Sequence, residues 1–192
     1  MGSLQISSDQ GLERVKALYD ELAAERDWVL AAPLATHQVL VAEVASFLAL
    51  EARMLDAGRF ESWLELWDPE GWYWIPLRRD SHPGQDQALF LDDRRRLQER
   101  IWRLRDPYAW GIQPLPESVR GITTVEAWNQ RDETVLASST LTLHIHSGSG
   151  ARLVAARQIH RLRPQSGGFQ ILRKTVLMPE LAQGSRHLGW FL

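Results

Sequence analysis

The first part of the chain carries apolar residues at helical spacing. Residues 12–32 form a mixed-charge segment that begins after Asp9, a possible N-cap, and closes before Pro33, which cannot continue a helix. Its apolar stripe is narrow and consists of Val15, Leu18, Tyr19 and Leu22. The pattern predicts a helical arm over residues 1–35 that lies on another surface and forms no core of its own.

A second, more apolar helix is predicted for residues 36–57. Its apolar positions recur three and four residues apart, at Leu40, Val44, Phe47, Leu48, Met54 and Leu55. Gly58 follows where a helix C-cap favours glycine. A short helix over residues 60–67, with Trp63, Leu64 and Trp67 on one side, comes next.

Mixed elements separate these helices from the last third of the chain. They are a turn (68–71), a strand (72–77), a polar loop (78–87), a helix (92–104) and a proline-rich linker (106–116). Pro76 cannot donate to a neighbouring strand, so it predicts that this strand ends at a sheet edge. Asp92 and Asp93 are the acids favoured at an N-cap and in a first helical turn.

The last third of the chain is strand-rich throughout. Four β-rich runs are separated by short turns with hairpin chemistry. The runs span residues 119–128, 134–146, 152–162 and 169–178, and the turns span 129–133, 147–150 and 165–168. Helices first and antiparallel strands second predict an α+β fold with helices packed on one face of a strongly curved sheet. Residues 36–192 are expected to form this single domain.

The faces of the predicted strands differ in polarity. In one strand Leu141, Leu143 and Ile145 alternate with Thr142, His144 and His146. Residues 152–162 instead place apolar side chains on both faces. Since a face in contact with water should be polar, the pattern predicts that part of the outer face is covered, as in an oligomer.

Composition narrows the class of protein. With 192 residues, 44% of them hydrophobic and 24% charged, the chain has the make-up of a globular domain. No apolar run is long enough to cross a membrane and no signal-peptide core is found, so we expect a cytoplasmic protein. A net charge of −2 does not favour nucleic acid. Nine tryptophans, and twenty arginines against two lysines, are typical of a large protein interface.

Cysteine is absent from the sequence. Its absence excludes disulfides, thiolate zinc sites, cysteine nucleophiles and cysteine-held iron–sulfur clusters from this chain.

His144 and His146 lie on one face of a predicted strand, a spacing found in some metal sites. A metal would need a third ligand, and Glu133 and His160 are possible donors from adjoining segments. The alternative is a polar or interface-facing strand without a metal.

Glu51 falls on the apolar face of its predicted helix, four residues after Phe47 and four before Leu55. A carboxylate in that place needs either a raised pKa or a cationic partner. It is therefore either a general base in a pocket or one half of a buried structural pair with an arginine.

Two further groups are open to a functional and a structural interpretation. Asp68 could line the mouth of a cone-shaped fold with Trp72, Tyr73 and Trp74, or could be a turn residue before a core strand. Arginines around the 92–104 helix do not form one basic stripe, which favours solvated or subunit-contact roles over nucleic-acid binding. They are Arg94, Arg95, Arg96, Arg100, Arg103 and Arg105.

Several segments, taken in order, resemble the β subunits of aromatic-ring-hydroxylating dioxygenases. They are 51–56 (EARMLD), Phe60 with 63–67 (WLELW), 73–76 (YWIP) with Arg78 and Arg79, 92–94 (DDR) through 103–105 (RLR), the Trp110 loop, Arg173 and Lys174 with Val176 and Leu177, and 188–192 (LGWFL). The resemblance covers residues 39–192. The arm before Thr36 is longer, and the 147–150 turn shorter, than the family leads us to expect.

This resemblance implies a cone-shaped fold similar to nuclear transport factor 2-like (cystatin-like) proteins. It also implies a β–β trimer that carries three catalytic α subunits, each with a Rieske [2Fe–2S] cluster and a mononuclear iron. Together they would add both atoms of dioxygen to an aromatic ring. Since a Rieske cluster needs two cysteines and two histidines, this chain cannot be the α subunit. No catalytic, cofactor-binding or metal-binding residue is expected in it.

Two alternatives stay open from the residues alone. One is a stand-alone dehydratase or isomerase of the same fold that uses histidine and aspartate. The other is a non-enzymatic ligand-binding protein. An open polar cavity with paired histidine and acid would favour the first alternative.

The last residues of the sequence are unusually apolar: Leu188, Trp190, Phe191 and Leu192. Full burial of one large apolar side chain stabilises a protein by roughly 1.5–3 kcal/mol. The tail is therefore expected to dock in a groove, either on its own domain or on a partner.

Overall fold

One sheet organises the chain and has helices on both of its faces. The computed structural model describes residues 2–106, 116–147 and 150–179. In these ranges the helices are α1 (Gly2–Ala31), α2 (Gln38–Asp56), α3 (Phe60–Glu65) and α4 (Arg94–Arg105). The strands are β1 (Trp67–Pro76), β2 (Ala88–Asp93), β3 (Glu117–Asn129), β4 (Val135–Ser147), β5 (Gly150–Gln165) and β6 (Gly168–Leu177).

The six strands are arranged in the order β2-β1-β6-β5-β4-β3. Neighbouring strands are antiparallel except β1 and β6, which run parallel. Ser166 and Gly167 form the tight β5–β6 turn, and Gly167 adopts a positive φ of +87° there. The predicted meander of four antiparallel strands, β3 to β6, is confirmed. The whole six-stranded sheet is curled and open, and its edge strands are β2 and β3.

Helices α2 and α3 pack on the inner face of the sheet. His37 caps α2, since its Nδ1 accepts a hydrogen bond from the Leu40 backbone N–H at 3.1 Å, and Gly58 follows the helix with φ of +64°. Large side chains fill the space between helices and sheet, among them Val44, Phe47, Leu48, Trp63, Trp67, Tyr73, Leu141 and Leu162. The predicted α+β fold is confirmed.

Helix α1 lies across the outer face. Its Val29 packs with one residue from each of three strands: Leu136, Ile159 and Leu177. The chain's own helix thus covers part of the outer face, including Ile159 of β5, whereas Leu153 of the same strand remains 55% exposed.

Two local predictions before residue 72 are wrong. Asp9 is not an N-cap, because α1 begins at Gly2. Residues 68–71 are not a turn, because they belong to β1. The pairing of β1 with β6 shifts register between Trp67 and Trp72. The segment that contains Pro69 and Gly71 is therefore a β-bulge within the strand.

Two further corrections concern β1 and β2. Pro76 ends β1, but β1 lies between β2 and β6 and is not an edge strand. Asp92 is not at the start of a helix, because it lies in β2, a strand that sequence analysis missed. Asp93 is the N-cap of α4, and its side chain accepts from the Arg96 backbone N–H at 2.8 Å.

Several predictions fall wholly or partly outside the described residues. They are the 106–116 linker with its Trp110 loop, the 147–150 turn and the 188–192 tail. Of the helices that are described, none is both long and apolar enough to cross a membrane.

Candidate functional site

Three hydrogen-bond donors converge on the buried carboxylate of Glu51, which α2 places on its inward face. Lys174 Nζ lies 2.9 Å and Trp63 Nε1 lies 3.0 Å from Oε1, and His160 Nε2 lies 3.2 Å from Oε2. His160 and Lys174 are paired across β5 and β6, and α3 supplies Trp63. Two helices and the sheet therefore meet at one carboxylate.

The charges of this cluster are balanced inside the core. Burial alone would raise the pKa of Glu51, but the Lys174 ammonium, followed by His160, more than offsets it, so the pKa lies well below its usual range. Burial also lowers the pKa of Lys174, and Glu51 opposes that shift. Since all three donors stabilise the ionised carboxylate, we assign an ion pair between Glu51 and Lys174 at neutral pH.

His160 is held as a neutral ring in this cluster. Because Nε2 donates to Glu51, the ring proton is on Nε2 and Nδ1 is an acceptor. Nδ1 is buried without a hydrogen-bond partner among the described residues. Burial lowers the pKa of His160, and Lys174 adds to this shift while Glu51 opposes it. A second positive charge beside Lys174 is therefore disfavoured.

The arrangement is that of a structural ion pair rather than a general base. The prediction that Glu51 is buried beside a cation is confirmed, but the cation is Lys174 and not an arginine. A general base must reach a proton on a substrate. Glu51 is 2% exposed, and His160 and Lys174 are 0% exposed, so the cluster is closed to a substrate.

The free energy of unfolding is expected to fall as the pH drops below about 6.5, the ordinary pKa of histidine. Unfolded His160 takes up a proton near that pH, whereas the folded-state pKa is lower. Such a group contributes its stability above the unfolded-state pKa and loses it as the pH falls, by up to about 1.4 kcal/mol per pH unit. Urea unfolding at about pH 7.5 and about pH 5.5 measures the loss.

His160→Gln provides the comparison, because its amide keeps a donor toward Glu51 and does not titrate. We expect this variant to lose much of the pH dependence. His144→Gln, the same change at an exposed ring, should retain it. An equal pH dependence in all three proteins would contradict the assignment to His160.

The residues of the hypothetical metal site are not brought together. His144 and His146 lie on the exposed outer face of β4, whereas His160 points into the core. Glu133 lies in the turn before β4, and His144 is about 30 Å along that strand from its first residue. No group of three or more metal-ligating side chains is found in the part of the chain that the structure describes.

The residues considered for a cone mouth do not share one surface. Tyr73 faces the core, while Trp72 and Trp74 face outward beneath α1. Asp68 is paired with Arg163, whose Nη1 lies 2.5 Å from Oδ2. The structural interpretation therefore accounts for these side chains, although Asp68 is in a bulged strand and not in a turn.

Arginines of α4 form local ion pairs. Arg100 bonds Asp92 at 2.5 Å, and Arg105 bonds Glu61 at 2.7 Å. Trp102 on the same helix is 65% exposed. The subunit-contact role predicted for this helix stays a prediction.

An ion cluster that the sequence did not predict fixes α1 to the sheet. Glu25 is 8% exposed and accepts from Arg173 Nη2 at 2.6 Å and from Arg161 Nη1 at 3.1 Å. Glu25 follows the buried Leu22 by three residues, so helical spacing is the signal that could have located it. Two more carboxylates extend the cluster: Glu21 and Asp132.

Comparisons of the sequence with known proteins agree on one family. The family model described as "Ring hydroxylating beta subunit" matches residues 50–181. The 2-halobenzoate 1,2-dioxygenase small subunit of Burkholderia cepacia is 26% identical over 142 residues, which cover 71% of this chain and 86% of that protein. The anthranilate 1,2-dioxygenase small subunit of Acinetobacter baylyi is 28% identical over 138 residues, which cover 68% and 84%.

Solved structures agree on the fold. A chain of naphthalene 1,2-dioxygenase with indole bound in the active site has a TM-score of 0.72 at 22% identity, covering 82% of this chain and 88% of that chain. The β subunit of benzoate 1,2-dioxygenase from Burkholderia mallei has a TM-score of 0.64 at 15% identity, covering 83% and 100%. The nuclear transport factor 2-like architecture expected from the resemblance is confirmed.

Proposed function

This chain belongs to the ring-hydroxylating β-subunit family, and we propose that it is the structural subunit of an oxygenase in which a separate α subunit carries out the chemistry. The observation that carries the proposal is the family match over residues 50–181, which spans the short helices, the sheet and their core.

The interior of the fold supports a structural role. An isomerase or dehydratase of this architecture would need an acid or base that a substrate can reach. Here the interior carboxylate of Glu51 already accepts three hydrogen bonds and is closed off by Lys174, Trp63 and His160. These residues stabilise the packing of helices on sheet, and this is what a scaffold requires.

The surface supports a protein partner. Large apolar side chains remain exposed on α4, on the outer face of the sheet and around the α1–α2 connection: Trp102, Val119, Leu153, Leu34 and Val39. Tryptophan is among the residue types enriched where a second protein covers a surface, so Trp102 on α4 is the strongest candidate contact. The partner of the proposed function is the catalytic α subunit.

The proposal also includes the subunit stoichiometry and the cofactors of the partner. Three copies of this chain form a trimer that carries three α subunits, and each α subunit holds a Rieske [2Fe–2S] cluster and a mononuclear iron. This chain has no cysteine with which to ligate such a cluster. The β trimer fixes the positions of neighbouring α subunits, and fixed distances between reacting centres control rate. The names of the relatives point to an aromatic substrate for the assembly.

Co-expression tests the proposal. Three samples are prepared: this chain alone, the Rieske-type chain encoded nearest to it alone, and the two chains together. We expect the two chains to co-purify in equal amounts, with the mass of three copies of each. Oxygen-dependent dihydroxylation of an aromatic acid should require the α subunit and reach its full rate only in the complex.

Two outcomes would contradict this function. In the first, the chain fails to bind the α subunit while the α subunit is fully active alone. In the second, the isolated chain converts a substrate by itself, which would favour the stand-alone enzyme.

A further inference from the structure

A groove crosses the outer face of the sheet beyond the end of α1. Its volume is about 670 Å³. Three arginines, Arg78, Arg79 and Arg157, contribute to its polar lining together with Glu126. The apolar lining comes from α1, β5 and the end of β6: Val29, Leu30, Ala155, Leu177 and Met178.

The chain itself leaves the sheet in this groove. Met178 and Pro179, which follow β6 directly, both line it. Residues 180–192 come next and include Leu188, Trp190, Phe191 and Leu192. A segment of this length reaches about 43 Å when extended, and the outward face of β5 from Arg157 to Ala151 spans about 20 Å. The segment is therefore long enough to run the length of the uncovered outer face.

We propose that residues 180–192 dock in this groove, with their aromatic side chains on its apolar lining. The two surfaces match chemically, because the groove combines apolar side chains with arginines whose guanidinium groups attract the faces of rings such as Trp190 and Phe191. Docking removes both apolar surfaces from water. A tethered segment is also present at a high effective concentration, so it binds in preference to a separate peptide of equal affinity.

The absence of natural cysteine allows a direct test on the full chain. A single cysteine is introduced at the exposed Ala155 and its reaction with a maleimide is timed. We expect the reaction to accelerate roughly tenfold or more when Trp190, Phe191 and Leu192 are all changed to serine. Ala24→Cys, on the exposed side of α1 and outside the groove, should react equally fast in both backgrounds.

A second measurement leaves the apolar tail nearly intact and so does not depend on the stability of the serine variant. The double variant Ala155→Cys/Gly189→Cys is treated with a short bismaleimide, and a link within one chain is expected. Links that form only between two molecules would overturn the proposal in favour of a second copy. An unchanged maleimide rate, or protection of position 155 that appears only when the α subunit is added, would overturn it too.

Discussion

Lys174→Met is expected to lower the free energy of unfolding by about 3–5 kcal/mol. Lys174 is 0% exposed, and its ammonium lies 2.9 Å from the Glu51 carboxylate. Without the ammonium, the carboxylate must remain ionised in the core without a counter-charge or take up a proton, and both cost free energy. Urea unfolding of the full chain at neutral pH measures the change.

The chain offers a matched control in its other lysine. Lys16 has a 58% exposed side chain and pairs with Glu13 three residues earlier on α1. Because exposed ion pairs contribute little, Lys16→Met is expected to change the free energy of unfolding by less than about 0.5 kcal/mol. Equal effects of the two substitutions would show that the Glu51–Lys174 pair contributes nothing specific.

A double variant separates charge from packing. In Glu51→Gln/Lys174→Met no charge is left without a partner, and the glutamine oxygen still accepts from Trp63 or His160. We expect this variant to recover more than half of the stability lost in Lys174→Met. If it is as unstable as the single variant, the loss arises from packing at position 174.

The burial of Glu51 could be predicted from the sequence, but its partners could not. Helical spacing places Glu51 between Phe47 and Leu55 on one apolar face, and this is local information. His160 and Lys174 come from 109 and 123 residues farther along the chain. The tight turn between β5 and β6 sets the pairing of His160 with Lys174, but the packing of α2 against this hairpin is long-range, and no local pattern specifies it.

The first residues of β1 could not be predicted as a strand either, because the contacts that form it are long-range. Residues 68–71 have the composition of a turn, and local chemistry alone gives no other answer. The structure uses Gly71 for close packing, since a Cβ there would lie 3.0 Å from the Asp68 carbonyl oxygen and 3.3 Å from that of Ile171. The parallel pairing of β1 with β6 creates this approach, and it joins segments about a hundred residues apart.

The strands after residue 116 could be predicted because their signal is local. Leu141, Leu143 and Ile145 face the core and their polar neighbours face outward, as alternation requires. Cover on part of the outer face was predicted, but it was attributed to an oligomer. Part of that cover is α1, whose sequence shows only a narrow apolar stripe because Glu25 and Arg26 are also buried.

Leu22→Ala is expected to lower the free energy of unfolding of the whole chain by about 2–5 kcal/mol, in a single transition. Leu22 is 0% exposed although it lies in α1, before the residues matched by the family model. The ion pairs of Glu25 join the same turn of α1 to β5 and β6, so the helix should unfold with the sheet. Urea unfolding followed by both helical and tryptophan signals measures this.

Leu12→Ala is the matched control, since the same change is made in the same helix at a side chain that is 55% exposed. It is expected to lower the free energy of unfolding by less than about 0.5 kcal/mol. If α1 were a separate arm over residues 1–35, Leu22→Ala would cause part of the helical signal to be lost at a lower urea concentration. The transition seen by the tryptophans of residues 36–192 would then stay at the same urea concentration. A shared shift of both signals would instead show that α1 belongs to one folding unit with the sheet. The reason is that removal of a buried side chain destabilises only the structure that unfolds together with it.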